Sequence, residues 1–183
     1  LCLETAFFYE NLFDENANVK STGKLVGIAG TFDGLGWVDG TKLSLEKKGE
    51  PIFSSQTLCL IDWKRPRNIK YPKKQYYENT TYPLIPYGIQ LSCYAAAINQ
   101  LTNNQYKINK AIVCIAPEFS KKNVRCKTNY PYYFSPVALN WYWKNAKKMM
   151  TSLAFNNKYN FDYAEFEKET EEQELLGDRL YYL

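Results

Sequence analysis

The chain has 183 residues, of which 45% are hydrophobic and 16% aromatic, and its formal net charge is +4. This length and hydrophobic content support one folded domain with a core of its own. The sequence contains no His and no apolar run near the roughly 20 residues of a membrane span. Zinc sites, His-activated nucleophiles and a membrane-spanning helix are therefore not expected.

Apolar runs predict four strands in the first part of the chain. The spacing of these strands suits an antiparallel meander. Four prolines then predict an irregular segment over residues 65–86. The predicted strands cover residues 1–10, 24–38, 41–49 and 57–64.

The rest of the chain is predicted to form two helices separated by a strand. The first helix spans 87–104 and carries an apolar stripe, and the strand lies within 107–119. The second helix spans 135–155, where Ser135 can cap the helix and Pro136 fits its first turn. This order predicts an α/β domain with a mixed β-sheet core flanked by helices.

Charge is distributed unevenly along the sequence. A basic run without any acid begins at the end of the fourth strand and suits a polyanionic partner. An acidic tail near the C-terminus is interpreted as a solvated surface, as runs of like charge usually are. The basic run comprises Lys64, Arg65, Arg67, Lys70, Lys73 and Lys74, and the acidic tail comprises Asp162, Glu165, Glu167, Glu169, Glu171, Glu172 and Glu174.

The stretch LCLIDWK ends an apolar strand with a carboxylate and an ammonium group. Because alternate side chains of a strand share a face, Asp62 and Lys64 should point one way and Trp63 the other. A carboxylate is a hard oxygen ligand for Mg²⁺, and a nearby Lys can orient an attacking water or stabilise charge on a phosphate. One carboxylate binds Mg²⁺ poorly, so a second is expected, and Asp33 in the Gly-rich strand GIAGTFDG is the best candidate.

Acid-x-Lys triplets also arise by chance, and the polar strand end Glu46-Lys47-Lys48 contains one. A structural ion pair between Asp62 and Lys64 is therefore the alternative interpretation. The apolar strand before Asp62 and the presence of Asp33 upstream distinguish this triplet from the other one.

The first predicted helix contributes two polar residues to one face. Gln90 and Tyr94 are four residues apart, so they are neighbours on the helix surface. They suit contact with a phosphate backbone or support of the strand that carries Asp62. The alternative is a polar edge beside the apolar stripe.

Taken together, these elements resemble the PD-(D/E)XK nuclease superfamily, and within it the RecB-like and phage lambda-type exonuclease branch. The resemblance rests on IAGTFDGL, CLIDWKR and YGIQLSCYAAA, which supply a Gly-x-x-Asp strand, an Asp-x-Lys strand and a Gln-x-x-x-Tyr helix in family order. It covers about residues 1–117 and implies a restriction-endonuclease-like fold. We expect a single domain over 1–183, with its core in about 1–117 and a helical C-terminal part over 135–183 that includes the acidic tail.

The resemblance also implies roles for individual residues. Asp33 and Asp62 would bind one or two Mg²⁺ or Mn²⁺ ions, and the carbonyl of Trp63 would complete the metal shell. Lys64 would position the hydrolytic water. The residues expected to contact substrate or support the site are Gln90, Tyr94, Arg65 and Arg67.

Two features depart from the family pattern. Relatives carry a Glu or His on a helix before the first strand, and the chain begins after that point. We expect this group to be missing, to be supplied by an upstream helix or a protein partner, or to be replaced by Glu4 or Glu10. The interval between Asp33 and Asp62 is also long. Some relatives bind an iron–sulfur cluster through clustered Cys near the C-terminus, but Cys126 is the last Cys here, so no cluster is expected.

The resulting functional prediction is a Mg²⁺- or Mn²⁺-dependent deoxyribonuclease, with exonuclease favoured over endonuclease, in DNA processing, recombination or repair. A phage or viral origin fits this prediction. The alternatives are a nucleic-acid-binding module that lost part of the site, and a virion or assembly protein that uses the fold as a scaffold. The five Cys residues, without a Cys-x-x-Cys pair, favour free thiols in a reducing intracellular compartment, a virion or an infected host cell.

Overall fold

The computed structural model of the chain describes residues 2–9, 28–45, 51–64, 81–115, 130–154 and 177–182. Seven strands and two α-helices lie within these ranges. The strands are β1 (Cys2–Tyr9), β2 (Ile28–Asp39), β3 (Leu43–Leu45), β4 (Gln56–Lys64), β5 (Ala111–Ile115), β6 (Tyr130–Phe134) and β7 (Asp178–Tyr182), and the helices are α1 (Thr81–Leu101) and α2 (Pro136–Ala154).

The strands form one sheet in the order β1-β2-β4-β5-β6-β7-β3. β4 and β5 pair in parallel, whereas the other neighbours described in this sheet are antiparallel. A parallel pair needs a crossover connection, and α1 lies in the connection between β4 and β5. The predicted α/β class with a mixed sheet and flanking helices is thereby confirmed.

Both helices contribute to one core on one face of the sheet. Leu60 of β4, Leu91 of α1 and Tyr142 of α2 are fully buried members of this core. A smaller apolar cluster lies around Ile112 and Leu180, and residues from β3 and the 51–53 segment pack against it. β4 therefore has strands on both sides and buried residues in the core beneath the helices.

Local sequence accounts for the start of each helix. The hydroxyl of Ser135 accepts the N–H of Ala138 at 3.1 Å, which confirms the predicted cap of α2. α1 begins at Thr81, earlier than predicted, and includes two prolines. The first four N–H groups of a helix have no intrahelical acceptor, so Pro83 removes no hydrogen bond. Pro86 lies further inside the helix, at an exposed position.

Two expectations about strands are wrong. β3 pairs with β7 and not within a meander of the first four strands. The C-terminal part predicted as helical over 135–183 contains α2 and also the strand β7. The short sequence DRLYY lies beside the acidic tail, yet its Leu and Tyr residues suit a half-buried strand, and Leu180 is buried. β6 has no counterpart among the predicted strands.

Three Cys side chains within the described ranges are free thiols, as expected: Cys59, Cys93 and Cys114. Burial raises the pKa of each to about 11, so these thiols remain protonated and behave as small apolar groups. In the described part of the chain, no helix combines the length and the apolar character needed to cross a membrane.

The close contact between α1 and α2 gives a stability prediction. A Cβ atom on Gly88 would overlap the ring of Tyr142, which is fully buried. Replacing Gly by Ala stabilises an exposed helix by about 1 kcal/mol. Because this site has no free space, we expect Gly88→Ala to lower the free energy of unfolding by about 1–3 kcal/mol, measured by urea denaturation.

The control for this substitution is Gln100→Ala, at an exposed position of the same helix. It should change the free energy of unfolding by less than about 0.5 kcal/mol. A Gly88→Ala protein more stable than wild type would contradict the packing described for α1 and α2.

Candidate functional site

The register between β2 and β4 places two acidic residues side by side. Gly34 of β2 pairs with Ile61 of β4 in an antiparallel ladder. This is the last pair of the ladder, and Asp33 and Asp62 are the next residues on the two strands. Since β5 pairs with the other edge of β4, the two carboxylates belong to neighbouring strands in the interior of the sheet.

Asp62 is buried and lies beside Lys64. Asp62 is 1% exposed, whereas Trp63, the next residue, is 48% exposed. Nζ of Lys64 lies 2.6 Å from Oδ2 of Asp62, so the two side chains point the same way, as predicted. Apart from this contact with Lys64, Oδ2 has no hydrogen-bond partner within the described ranges. A carboxylate oxygen has two lone pairs, so a buried oxygen with one contact is suited to bind a cation as well.

Opposing effects act on the pKa of Asp62. Burial raises this pKa most, the hydrogen bond and the charge of Lys64 lower it, and the charge and the side-chain hydrogen bond of Asp33 raise it again. The net result is a pKa above the ordinary value of an Asp. Two carboxyl groups in contact need a shared proton or a cation, because like charges at short range oppose ionisation. The site therefore favours additional positive charge beside Lys64.

Asp33 is held by the backbone of the neighbouring strand. Its Oδ2 accepts the N–H of Trp63 at 2.6 Å, a charge-assisted bond that fixes the carboxylate against β4. Phe32 and Leu35 both contact the core beneath the helices, although residues three apart in a regular strand face opposite sides. β2 thus departs from regular alternation around Asp33, where the side chain reaches across to β4.

The structure also brings Gln90 and Tyr94 together. Nε2 of Gln90 donates a hydrogen bond to the hydroxyl of Tyr94 at 2.6 Å. The Tyr94 ring is buried and packs edge-on against Phe7 of β1, with ring centroids 5.2 Å apart. A Cβ atom on Gly30 of β2 would lie 2.8 Å from Cε1 of Tyr94. Tyr94 therefore packs α1 against β1 and against β2, the strand that carries Asp33, whereas the support was predicted for the strand that carries Asp62.

Tyr87 is a residue of this site that the sequence analysis missed. Nζ of Lys64 lies 5.6 Å from the centre of the Tyr87 ring, within cation–π distance. Burial raises the pKa of Tyr87, and the negative charge of Asp62 raises it further, so its hydroxyl remains protonated. The signal was present in the spacing, since Tyr87 precedes Gln90 by three residues on the same helix face.

The donor set fits a hard divalent cation. In the described ranges, no group of three or more His, Cys, Asp or Glu side chains is placed to hold a metal ion. Mg²⁺ is commonly bound by one or two carboxylates together with water and substrate phosphates, so a pair of Asp residues suffices for this chemistry. Because Leu3 pairs with Gly34, the register of β1 places the backbone of Glu4 beside Asp33.

Several residues predicted to belong to the site lie outside the described ranges. The side chain of Glu4 lies outside what is described, as do the basic run beyond Lys64 and the acidic tail. The remaining predicted site residues outside the described ranges are Glu10, Arg65 and Arg67.

The sequence matches no protein-family model and no curated protein. The family assignment stays a resemblance that rests on the three motifs and their order.

The buried carboxylate gives a prediction that separates a functional site from a structural ion pair. Asp62→Asn keeps the shape of the side chain and removes its negative charge. Burial of that charge is unfavourable, and for this reason burial raises the pKa of Asp62. We expect the free energy of unfolding to rise, or to fall by less than about 1 kcal/mol, because burying that charge opposes folding. Urea denaturation measures the change.

Leu60→Ala, at another fully buried position of β4, is the control and should lower the free energy of unfolding by about 2–5 kcal/mol. If Asp62→Asn lowers it as much as Leu60→Ala does, Asp62 and Lys64 form a structural ion pair.

Proposed function

We propose that the chain is a nuclease that hydrolyses DNA phosphodiester bonds with Mg²⁺ or Mn²⁺, as members of the PD-(D/E)XK superfamily do. The observation that carries the proposal is the contact between the carboxyl groups of Asp33 and Asp62, beside the ammonium of Lys64. One ammonium neutralises only one of two carboxylates, and one of the two is buried. This imbalance supports a cation site more than a structural ion pair.

Each side chain has a distinct role in the proposed reaction. Asp33 and Asp62 would hold the cation, with the carbonyl of Trp63 as a third ligand. A bound Mg²⁺ or Mn²⁺ supplies a Lewis acid for a phosphoryl oxygen and lowers the pKa of a bound water. Lys64 orients the attacking water or neutralises a phosphate oxygen. Tyr87 is a positioning residue that holds Lys64 against α1.

The finer parts of the proposal rest on the resemblance and on the sequence. The basic run from Lys64 to Lys74 would bind DNA phosphates without reading their sequence. An exonuclease is favoured over an endonuclease, in DNA processing, recombination or repair within a reducing intracellular compartment or an infected host cell. A protein partner would complete the site.

A nucleic-acid-binding module is the second candidate, including a virion or assembly protein with the same fold. One observation favours it, since only two carboxylates are shown to converge in the described part of the chain. Absence of a third ligand would leave binding without cleavage.

The proposal predicts cleavage that depends on the metal. Linear and circular DNA incubated with Mg²⁺, Mn²⁺ or EDTA should be cut only when the metal is present, with linear DNA preferred by an exonuclease. Asp62→Ala and Lys64→Ala should each lower the rate at least about 100-fold, because they remove a metal ligand and a water-positioning charge. Gel electrophoresis of end-labelled DNA gives the rates.

Lys42→Ala is the matched control. Lys42 forms a surface ion pair with Asp39 at 3.6 Å, beyond the end of β2, and its removal should leave the rate unchanged. Cleavage indifferent to EDTA and to both site substitutions would exclude the proposed mechanism. DNA binding without any cleavage would favour the binding module.

Tyr87 gives a prediction of its own. Tyr87→Ala removes the ring beside Lys64 and should lower kcat about fivefold, as expected from a cation–π contact of about 1 kcal/mol, while KM for DNA stays the same. Tyr87→Phe keeps the ring and should retain near wild-type kcat. A fall of kcat in Tyr87→Phe as large as in Tyr87→Ala would assign the effect to the hydroxyl instead.

A further inference from the structure

The two helices and the segment after α1 enclose a second, polar cleft. Its volume is about 440 Å³, within the usual range of ligand sites. Its walls come from the second half of α1, the following segment up to residue 109 and the first half of α2. The polar and aromatic residues of these walls include Gln100, Asn104, Asn109, Asn140 and Trp143.

This cleft lies on the opposite side of α1 from the carboxylates. A helix advances by about 100° per residue, which follows from 3.6 residues per turn. Gln90 and Tyr94 therefore share one face, and Tyr94 packs against β1. Ala96 and Asn99, which line the cleft, fall on the other face. A ligand in the cleft would not meet the metal centre.

Among the side-chain amides that line the cleft, Asn99 is hydrogen-bonded to the backbone, whereas three others make no hydrogen bond to a described residue. Nδ2 of Asn99 donates to the carbonyl of Ile108 at 2.7 Å, and Oδ1 of Asn99 accepts the N–H of Ile108 at 2.6 Å. These two bonds fix the segment that forms one wall. Gln100, Asn104 and Asn140 are exposed, and their side chains make no hydrogen bond to any described residue. Each carboxamide offers a donor and an acceptor, the pattern that pairs with the edge of an unpaired base.

The wall formed by α2 adds an aromatic ring, and two lysines of α2 lie next to the lining residues. Nζ of Lys147 lies 5.6 Å from the ring centroid of Trp143. Lys144 is exposed and follows Asn140 by four residues, so it lies on the same side of the helix one turn further along. The sequence of α2 contains no Asp or Glu. Indole, amides and ammonium groups are together the chemistry that binds base and phosphate in single strands.

We propose that this cleft binds an unpaired base and the neighbouring phosphates of a single-stranded nucleic acid. The volume of the cleft, about 440 Å³, suits one nucleotide, and the bases of a duplex keep their pairing edges engaged with each other. The inference rests on the proposed function only in taking nucleic acid as the partner. The cleft would hold a strand at a point separate from the place of cleavage.

The test measures binding in EDTA, where no cleavage occurs. Fluorescence anisotropy of a short labelled single-stranded oligodeoxynucleotide gives Kd for wild type and variants. Lys144→Glu should raise Kd at least about tenfold. It should also reduce the slope of log Kd against log salt concentration, by about 0.7 for each phosphate that the variant no longer binds. Asn140→Ala and Gln100→Ala should raise Kd about threefold without changing that slope, because amides contact the base.

Lys42→Glu is the matched charge reversal, and it should leave Kd within about twofold of wild type since Lys42 lies outside the cleft. Equal Kd values for wild type, Lys144→Glu and Asn140→Ala would overturn the cleft proposal. Equal binding of a duplex, or competition by a mononucleotide at the Kd of the oligonucleotide, would also overturn it.

The cleavage assay keeps the two proposals distinguishable. Metal-dependent cleavage, together with equal Kd values for wild type and the cleft variants, would support the proposed nuclease and contradict nucleic-acid binding in the cleft. Binding that depends on Lys144 and Asn140, in a protein that never cleaves, would support the cleft and count against the nuclease.

Discussion

The site depends on the burial of one carboxylate between two strands. Asp62 lies inside the sheet. Among the described residues, the ammonium of Lys64 compensates its negative charge, and the carboxyl group of Asp33 adds a second acidic group beside it. A charge in such surroundings is unfavourable unless it is paired or coordinated. The antiparallel register of β2 and β4 creates this arrangement, and the bond from the Trp63 N–H to Asp33 holds it in place. Two carboxyl groups beside one ammonium leave an excess of negative charge in this part of the sheet, and a bound cation would offset it.

α1 links this site to the rest of the molecule. Tyr87 faces Lys64, the next residue Gly88 permits contact with Tyr142 of α2, and Tyr94 packs against β1. Residues 87–94 of one helix therefore contact the charged site, the second helix and the edge of the sheet. A shift of α1 relative to the sheet would alter the position of Lys64 and the packing of both helices together. α1 contains no Asp, Glu, Lys or Arg, so it adds no charge of its own to the site.

The sequence predicted the parts of the fold that depend on local pattern. The apolar run before Asp62 indicated β4, the Ser-Pro start indicated α2, and the alternation of a strand indicated the common direction of Asp62 and Lys64. Pairings between distant segments were not predictable in the same way. β3 is only three residues long, and its partner β7 lies in a region where the many acidic residues concealed a short strand. Tyr87 was overlooked because its spacing from Gln90 becomes informative only once the contact between α1 and Lys64 of β4 is known.

The pairing of β3 with β7 has a consequence for how the protein acquires its structure. The paired residues of the two strands, such as Leu43 and Tyr182, are about three quarters of the chain apart, so the loop that they close is one of the longest in the molecule. Closing such a loop costs conformational entropy that only late, collective contacts offset. During synthesis on the ribosome, β1, β2 and β4 can assemble with α1 before β7 emerges. Until then, the side of β3 that pairs with β7 and the outer edge of β6 lack this neighbour. In that interval a nascent chain is most exposed to intermolecular strand pairing.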